Sequence, residues 1–327
     1  MRQRSLQRGM SLVELMIGLL LGLLVVAVCG RVYLSTSATT LSGIALARVQ
    51  EGGRLAVGLL GRDLRGAGDL VCDNSKSPFN LMAERESPFW LSLGEPVRGT
   101  VGDGTDTFFA PSLPVGTGPG DRMTGTDALR LWRMRPLRLA VAERVGSDAP
   151  LPVTGPELPA PGSPLLVCDF QVASIVRVTA ARAAVGHAAP ANCIDHFSAI
   201  GGCASAGDAP GAWHRHGTDT AFAVPEQVRW FVAAGTDGSP TLTRAVVIDG
   251  VVVTQSPVVG DVDRFELTYL ADGAERYVTA SQIDAGGWSK VIGARVHLVL
   301  RASAGRGAAD NVVRPFQQTF QIRSRTP

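Results

Sequence analysis

The chain has 327 residues, 45% of them hydrophobic, and a formal net charge of +2 at pH 7 from 31 basic and 29 acidic residues. This length exceeds an anchor plus one minimal domain, and it predicts either one elaborated globular region or two subdomains. The balanced charge gives no electrostatic basis for general nucleic-acid binding, so we expect no nucleic acid as a partner. The nucleophile elbow, phosphate loop and dinucleotide fingerprint are absent from the sequence, and we expect no catalytic residues and no cofactor.

An apolar segment extends over residues 10–30, behind the arginines Arg2, Arg4 and Arg8. A helix of this length crosses a hydrocarbon core of about 30 Å, because each residue adds about 1.5 Å. The positive-inside rule places the N-terminus in the cytoplasm and the chain after Arg31 outside, which predicts a single-pass inner-membrane protein. An ordinary secretory signal has its cleavage site beyond the apolar region, whereas here the processing point is expected before it, at Gly9.

One carboxylate, Glu14, interrupts the apolar segment. An acidic side chain at the centre of a membrane helix costs about 2.5 to 3.5 kcal/mol, and such groups usually mark a function. We therefore expect a positively charged group to compensate Glu14. The alternative is a plain membrane anchor whose glutamate lies near the interface. Gly18 and Gly22 form a Gly-x-x-x-Gly pair that allows close helix approach in lipid.

The segment around this glutamate resembles the signal of type IV prepilins: Arg8-Gly9-Met10-Ser11-Leu12-Val13-Glu14-Leu15-Met16. The resemblance implies that a prepilin peptidase cleaves between Gly9 and Met10 and that the new N-terminus of Met10 is methylated. Glu14 then becomes the fifth mature residue, where this family has its glutamate. Methylation retains the positive charge of the amine. The amine of one subunit would pair with Glu14 of its neighbour in the fibre, which makes Glu14 an assembly residue.

Apolar residues continue at helical spacing, which predicts an amphipathic continuation of the helix over residues 31–66; they are Leu46, Val49, Val57, Leu60 and Leu64. Each glycine in a helix interior costs about 1 kcal/mol relative to alanine, so the four glycines here predict a segment that depends on packing against the globular part. The stretches 47–55 and 59–65 resemble the corresponding region of PilW-like minor pilins. We expect most of their charged residues to form a solvated face.

The remaining residues, 67–327, are predicted to form a periplasmic β-rich head with loop-rich insertions at about 67–126, 146–164 and 180–220. Strands are predicted over residues 127–134, 227–233, 241–248, 262–270 and 292–300, with a strand pair in 165–179. The Asp237-Gly238 pair predicts a hairpin between two of them. A helix followed by antiparallel strands indicates an α+β fold.

The C-terminal region strengthens the resemblance to PilW-like minor pilins, through Glu226-Gln227-Val228-Arg229-Trp230-Phe231-Val232, Leu242-Thr243-Arg244, Trp288-Ser289-Lys290-Val291 and Ala294-Arg295-Val296-His297-Leu298. It implies the type IV pilin fold, with a long N-terminal helix packed on an antiparallel sheet. It also implies a non-enzymatic minor pilin that primes pilus assembly, sits at the tip and supports adhesion, twitching motility or DNA uptake.

The implied partners are other minor pilins, the major pilin, the prepilin peptidase and the inner-membrane assembly platform, with a tip adhesin as a further candidate. Two alternatives remain at this point. One is a minor pseudopilin of a type II secretion system, which shares the anchor and its processing. The other is a tip adhesin or DNA-binding minor pilin that uses the insertions between residues 66 and 217.

Five cysteines are present, and Cys29 lies in the apolar segment. The other four lie outside it, and an even number in an extracytoplasmic region predicts two disulfides. Three pairings are possible for Cys72, Cys168, Cys193 and Cys203. We favour a local bond between Cys193 and Cys203, together with a bond between Cys72 and Cys168 that ties the end of the helix to the sheet.

Three further clusters of polar residues are candidate binding sites. The histidines His187, His196, His214 and His216 lie near Cys193 and Asp195, but zinc spacings such as Cys-x-x-Cys are absent and a flexible loop does not preorganise ligands. We expect polar loop histidines and no metal.

Asp103-Gly104-Thr105-Asp106 lacks the closing glutamate of a calcium loop. Arg130, Arg133, Arg135 and Arg138 alternate with leucines, which favours strand edges with outward arginines over a DNA-binding surface. His297 is expected to face solvent.

Overall fold

A computed structural model describes residues 11–72, 77–102, 109–198, 202–203, 213–303 and 311–325. The fold is α+β, as the sequence predicts, with one long N-terminal helix and a predominantly β region. The chain divides into two compact units, one made of residues 1–50 with 301–313 and the other of residues 51–300 with 314–327.

Helix α1 (Leu12–Arg65) is continuous through the apolar segment and the amphipathic segment. Its N-terminal part is long and apolar enough to cross a membrane, and none of that part is buried within the protein. The large apolar side chains between Leu12 and Leu34 are accordingly exposed. The helix thus fits a single-pass anchor.

A second, short helix, α2 (Pro88–Leu91), follows. The strands are, in chain order, β1 (Phe79–Asn80), β2 (Val97–Thr100), β3 (Ala128–Pro136), β4 (Ala140–Val141), β5 (Leu151–Thr154), β6 (Pro164–Cys168), β7 (Ala173–Arg177), β8 (Ala180–Ala181), β9 (Ala184–Gly186), β10 (Phe197–Ser198), β11 (Trp213–His214), β12 (Ala221–Ala234), β13 (Pro240–Ile248), β14 (Val251–Val259), β15 (Val262–Ala271), β16 (Val278–Thr279), β17 (Val291–Ser303) and β18 (Asn311–Gln321).

The largest sheet is built around β12. This strand pairs antiparallel with β13 on one side, and with β3 and then β6 on the other. The order of the sheet is β1-β7-β6-β12-β13-β14, with β2 added to β3. The predicted hairpin is confirmed, because β12 and β13 join through a turn in which Gly238 has a positive φ of 78°.

A second sheet has the order β16-β15-β17-β18, and there are two small sheets, β4-β5-β9-β8 and β10-β11. All strands of the small sheets except β4 lie in regions predicted as insertions. The end of α1 contacts β18. A side chain at Gly53 would collide with the ring of Phe316, and one at Gly61 would collide with Phe320. These two glycines therefore weaken the isolated helix but allow the rings to approach its backbone, in agreement with the predicted dependence on packing.

Candidate functional site

The best-defined polar site of the head is the carboxylate of Asp63, in the last turn of α1. Its side chain is only 2% exposed, and it accepts four hydrogen bonds from three residues. The donors are Arg133 Nη1 at 3.0 Å, Trp230 Nε1 at 2.9 Å, and Arg244 Nε and Nη2 at 2.7 and 3.1 Å. Both carboxylate oxygens are satisfied, as a buried charge requires.

The three donors lie on three neighbouring strands. Arg133 is on β3, Trp230 on β12 and Arg244 on β13, and Trp230 is directly opposite Arg244 in the β12–β13 pair. Since alternate residues of a strand face the same side of a sheet, these side chains all project towards the helix. One carboxylate therefore fixes the helix end to the centre of the large sheet. We call these four residues the docking cluster.

A second carboxylate completes the charge balance of the docking cluster. Glu226 is opposite Arg133 in the β3–β12 pair and forms an ion pair with it. Arg135 lies 3.5 Å from the other oxygen of Glu226. Both acidic side chains are almost fully buried, whereas the arginines remain partly exposed. Removing one partner of such a buried ion pair is destabilising, because it leaves the other charge uncompensated.

The prediction of a solvated face is wrong for Asp63. Its neighbours Leu60 and Leu64 are fully buried, and Asp63 shares their face of the helix, so it enters the protein together with them. The neighbouring residues Arg62 and Arg65 are exposed, as predicted. Nothing in the local sequence distinguishes Asp63 from a solvated residue, because its partners lie about 70 to 180 positions further along the chain.

The prediction of outward arginines at a strand edge is wrong for Arg130 and for the position of β3, whereas Arg135 and Arg138 are exposed as predicted. Strand β3 lies inside the sheet between β2 and β12. Arg130 is fully buried and donates to Glu95 Oε2 at 3.1 Å and to the Ser92 carbonyl at 3.2 Å. On the adjacent strand, burial and the nearby charge of Arg130 lower the pKa of Arg229 to about 10. These arginines are structural, since buried carboxylates and carbonyls replace their hydration.

The predicted processing residues, Gly9 and Met10, lie outside the described residues, as does the Asp103-Gly104-Thr105-Asp106 segment. Glu14 is exposed in the first turns of α1, and its backbone N–H donates to Ser11 Oγ at 3.2 Å. Within the described part of the chain its carboxylate has no hydrogen-bond or ion-pair partner. The assembly role of Glu14 therefore stays a prediction.

The structure contains both favoured disulfides. Cys72 is bonded to Cys168, with a Cα–Cα distance of 6.1 Å, and Cys193 is bonded to Cys203, with a Cα–Cα distance of 5.5 Å. The first joins the segment after α1 to the end of β6. Cys29 is a free, exposed thiol in the apolar part of α1.

The prediction of polar loop histidines is wrong in one respect, because all four are buried. Two of them converge on a residue that the sequence pattern did not connect with them. His214 Nε2 lies 2.6 Å and His216 Nδ1 2.9 Å from the same oxygen, Oδ2 of Asp169. The ring of His196 stacks on Trp213 at 4.1 Å between centroids. By contrast, His297 is partly exposed and pairs with Glu266, in agreement with its predicted orientation.

The electrostatics of this group follow from burial and hydrogen bonding. Burial opposes ionisation of Asp169, but hydrogen bonds from His214, His216 and two backbone amides lower its pKa below the usual range. Burial lowers the pKa of His216, and the Asp169 carboxylate only partly offsets this. An ionised Asp169 beside a neutral His216 imidazole is therefore the favoured state at neutral pH. We call Asp169, His214 and His216 the histidine cluster.

Comparison with known proteins identifies the C-terminal region. Residues 229–326 match the model of the PilW family, described as type IV pilus-assembly protein W. This region contains the C-terminal part of β12 and the strands β13 to β18. The resemblance to PilW-like proteins is confirmed there, and a family of structural pilus components is matched rather than a family of enzymes.

A search of solved structures finds a type IV-like pilin from Thermus thermophilus, with 12% sequence identity and a TM-score of 0.23 over 32% of this chain and 67% of that chain. No curated protein matches the chain.

Proposed function

From the PilW-like C-terminal region of this chain, we propose that the protein is a minor pilin of the type IV pilus. The family match to residues 229–326 is the observation that carries the proposal. The α+β fold with an apolar N-terminal helix is compatible with it. In this proposal residues 1–9 are the leader, 10–30 the membrane and assembly helix, 31–66 its amphipathic continuation and 67–327 the periplasmic head.

The proposed life cycle begins in the inner membrane, with the N-terminus in the cytoplasm and the head in the periplasm. The prepilin peptidase cleaves between Gly9 and Met10, and the amine of Met10 is methylated. The protein then joins other minor pilins in a complex on the assembly platform, primes growth of the major pilin and remains at the tip. Glu14 pairs with the amine of a neighbouring subunit.

The chemistry of α1 supports a partner outside the chain for Glu14. A carboxylate in an apolar environment is stable only when an opposite charge or several hydrogen bonds compensate it. The head provides such compensation for Asp63, with two arginines and a tryptophan N–H. For Glu14 the described residues provide none, and a cationic N-terminus from a neighbouring subunit would supply it.

The test is replacement of Glu14 in cells that make pili. Glu14→Ala and Glu14→Gln should leave cleavage after Gly9 intact, as measured by mass spectrometry of the mature N-terminus. The amount of protein in sheared pili should fall by at least about tenfold, which corresponds to losing 1.4 kcal/mol of pairing. Glu51→Ala, an exposed glutamate in the same helix, is the matched control and should assemble as the wild type does.

Normal incorporation of both Glu14 variants would contradict the pairing mechanism. A mature protein that still begins at residue 1 in cells with an active peptidase would contradict the proposal as a whole. Deletion of the gene separates the minor pilin from the type II secretion pseudopilin: loss of pili with normal secretion supports the first, and normal pili with lost secretion supports the second.

A further inference from the structure

The histidine cluster offers a ligand set that the pilin proposal does not use. Its three ligand atoms all lie within 4.8 Å of one another, and all three residues are buried. One carboxylate and two imidazoles are a typical donor set for zinc and related divalent transition metals. We propose that Asp169, His214 and His216 form a divalent transition-metal site, with Zn²⁺ as the favoured ion.

The carboxylate is held in position independently of the histidines. Oδ1 of Asp169 accepts hydrogen bonds from the backbone N–H groups of Gln171 and Val172, at 2.8 and 2.9 Å. Asp169 also directly follows Cys168, which the disulfide ties to Cys72. These contacts leave Oδ2 as the oxygen that faces the imidazoles, and they fix its place before any ion arrives.

The two imidazoles meet at this one oxygen. His214 lies on β11, and His216 follows two residues later, so the segment 213–216 brings both rings to the turn between β6 and β7. The rings are in edge contact, with centroids 4.7 Å apart. Phe197 covers His216 with its centroid at 4.6 Å, which places apolar surface beside the cluster.

The distances leave only a small rearrangement for metal binding. Ligand atoms of tetrahedral zinc lie about 3.4 Å apart, because each metal–ligand bond is about 2.1 Å. The two nitrogen–oxygen distances are 2.6 and 2.9 Å and would widen, and all three ligand atoms already lie within 4.8 Å of one another.

The bound ion would join the 180–220 region to the turn between β6 and β7. Three protein ligands leave one position of a tetrahedral ion for water. The site therefore adds a non-covalent link beside two covalent ones, the disulfides at Cys168 and Cys193. This inference does not depend on pilus assembly, because metal binding is measured on the purified protein.

The experiment uses the full-length protein in detergent, without a histidine tag, with both disulfides intact and with Cys29→Ser to remove the free thiol. After chelator treatment and dialysis it is titrated with ZnSO₄ by calorimetry, and the metal content is measured by mass spectrometry. We expect one zinc per chain and a rise in the thermal midpoint, because a ligand of the native state stabilises it.

Loss of an outer-shell partner weakens metal binding by at most about 100-fold. The variants Asp169→Asn and His214→Ala remove direct ligands, and they should therefore weaken zinc binding by more than about 100-fold. His297→Ala is the matched control, since His297 also pairs with a carboxylate, that of Glu266, but no third ligand lies beside it in the part of the chain that the structure describes. It should bind zinc as the wild type does. If the cluster variants do not fold, Co²⁺ added to the wild type provides a second test, because tetrahedral Co²⁺ has characteristic visible absorption.

Absence of zinc binding by the wild type, or equal binding by the wild type and Asp169→Asn, would overturn the proposal. Co²⁺ spectra of an octahedral, weakly held ion in the wild type would do the same. Neither result would affect the minor-pilin proposal, which rests on residues 229–326 and is tested on pili.

Discussion

Asp63 and Asp169 are both buried carboxylates with several donors, but the donors differ in kind. Asp63 receives hydrogen bonds from two arginines and an indole N–H, whereas Asp169 receives them from two histidines and two backbone amides. Arginine remains charged at every physiological pH, while histidine changes its charge near neutrality and also binds metals. The docking cluster is therefore a contact that does not depend on physiological pH, whereas the histidine cluster contains groups that can bind a metal ion.

The largest expected effect concerns the covalent support next to Asp169. The Cys72–Cys168 bond spans 96 residues of sequence, and closing a loop of that size contributes about 4 to 5 kcal/mol in the chain-entropy model. The double variant Cys72→Ser/Cys168→Ser should lower the free energy of unfolding by about this amount in urea denaturation.

The Cys193→Ser/Cys203→Ser pair is the matched control. Its sequence separation is 10, and it should lose only about 2 to 3 kcal/mol. Equal losses would show that loop length does not govern the two bonds.

The next largest effect tests the docking cluster. Asp63→Ala leaves the charges of Arg133 and Arg244 without their carboxylate, and removing one partner of a buried ion pair costs about 3 kcal/mol or more. The arginines are 24% and 21% exposed, so water limits the loss to the lower end of that range. Urea denaturation of the full-length protein measures this loss of unfolding free energy. The matched control is Asp69→Ala, because Asp69 is an exposed aspartate just beyond the helix. This variant should change stability by less than about 0.5 kcal/mol.

A loss for Asp63→Ala no greater than that for Asp69→Ala would contradict the docking role. Asp63→Asn separates the charge from the hydrogen bonds, because it keeps one acceptor oxygen and removes the charge. Its free energy of unfolding should lie between that of the wild type and that of Asp63→Ala.

The smallest effect is a dependence of stability on pH in the histidine-rich region. Burial lowers the pKa of His187, whose Nε2 lies 3.2 Å from the Ala149 carbonyl. A lowered folded-state pKa gives stability that is present above the unfolded value of about 6.5 and is lost as the pH falls below it. The thermal midpoint should therefore decrease as the pH is lowered from 7.5 to 5.5. His187→Gln should flatten this slope, and His297→Gln, a partly exposed control, should leave it unchanged.

The sequence predicted those parts of the fold that depend on local pattern. The helix to residue 66 ends at Arg65, and the predicted strands near residues 127, 227, 241, 262 and 292 all form. Hydrophobic periodicity and the Asp237-Gly238 turn are sufficient for these elements, because their signals lie within a few residues. The α+β class and the PilW-like C-terminal region were also recognised correctly.

The polar sites could not be obtained in the same way. Asp63 resembled any charged helical residue, and the arginines of β3 resembled those of an exposed strand. The four histidines were recognised as a group, but Asp169 was missed because it lies 45 residues before His214. The only available sequence signal was the Cys168-Asp169 pair, which marked a turn held by a disulfide.

The sequence by itself therefore determined the apolar helix, the positions of several long strands along the chain, the four disulfide cysteines and the similarity of the C-terminal region to PilW-like proteins. These follow from composition, periodicity and short motifs. Only the tertiary structure decided which charges are buried and which side chains meet. A carboxylate becomes a docking or metal-binding group through its neighbours in space, and the chain brings those neighbours together from positions that no local pattern connects.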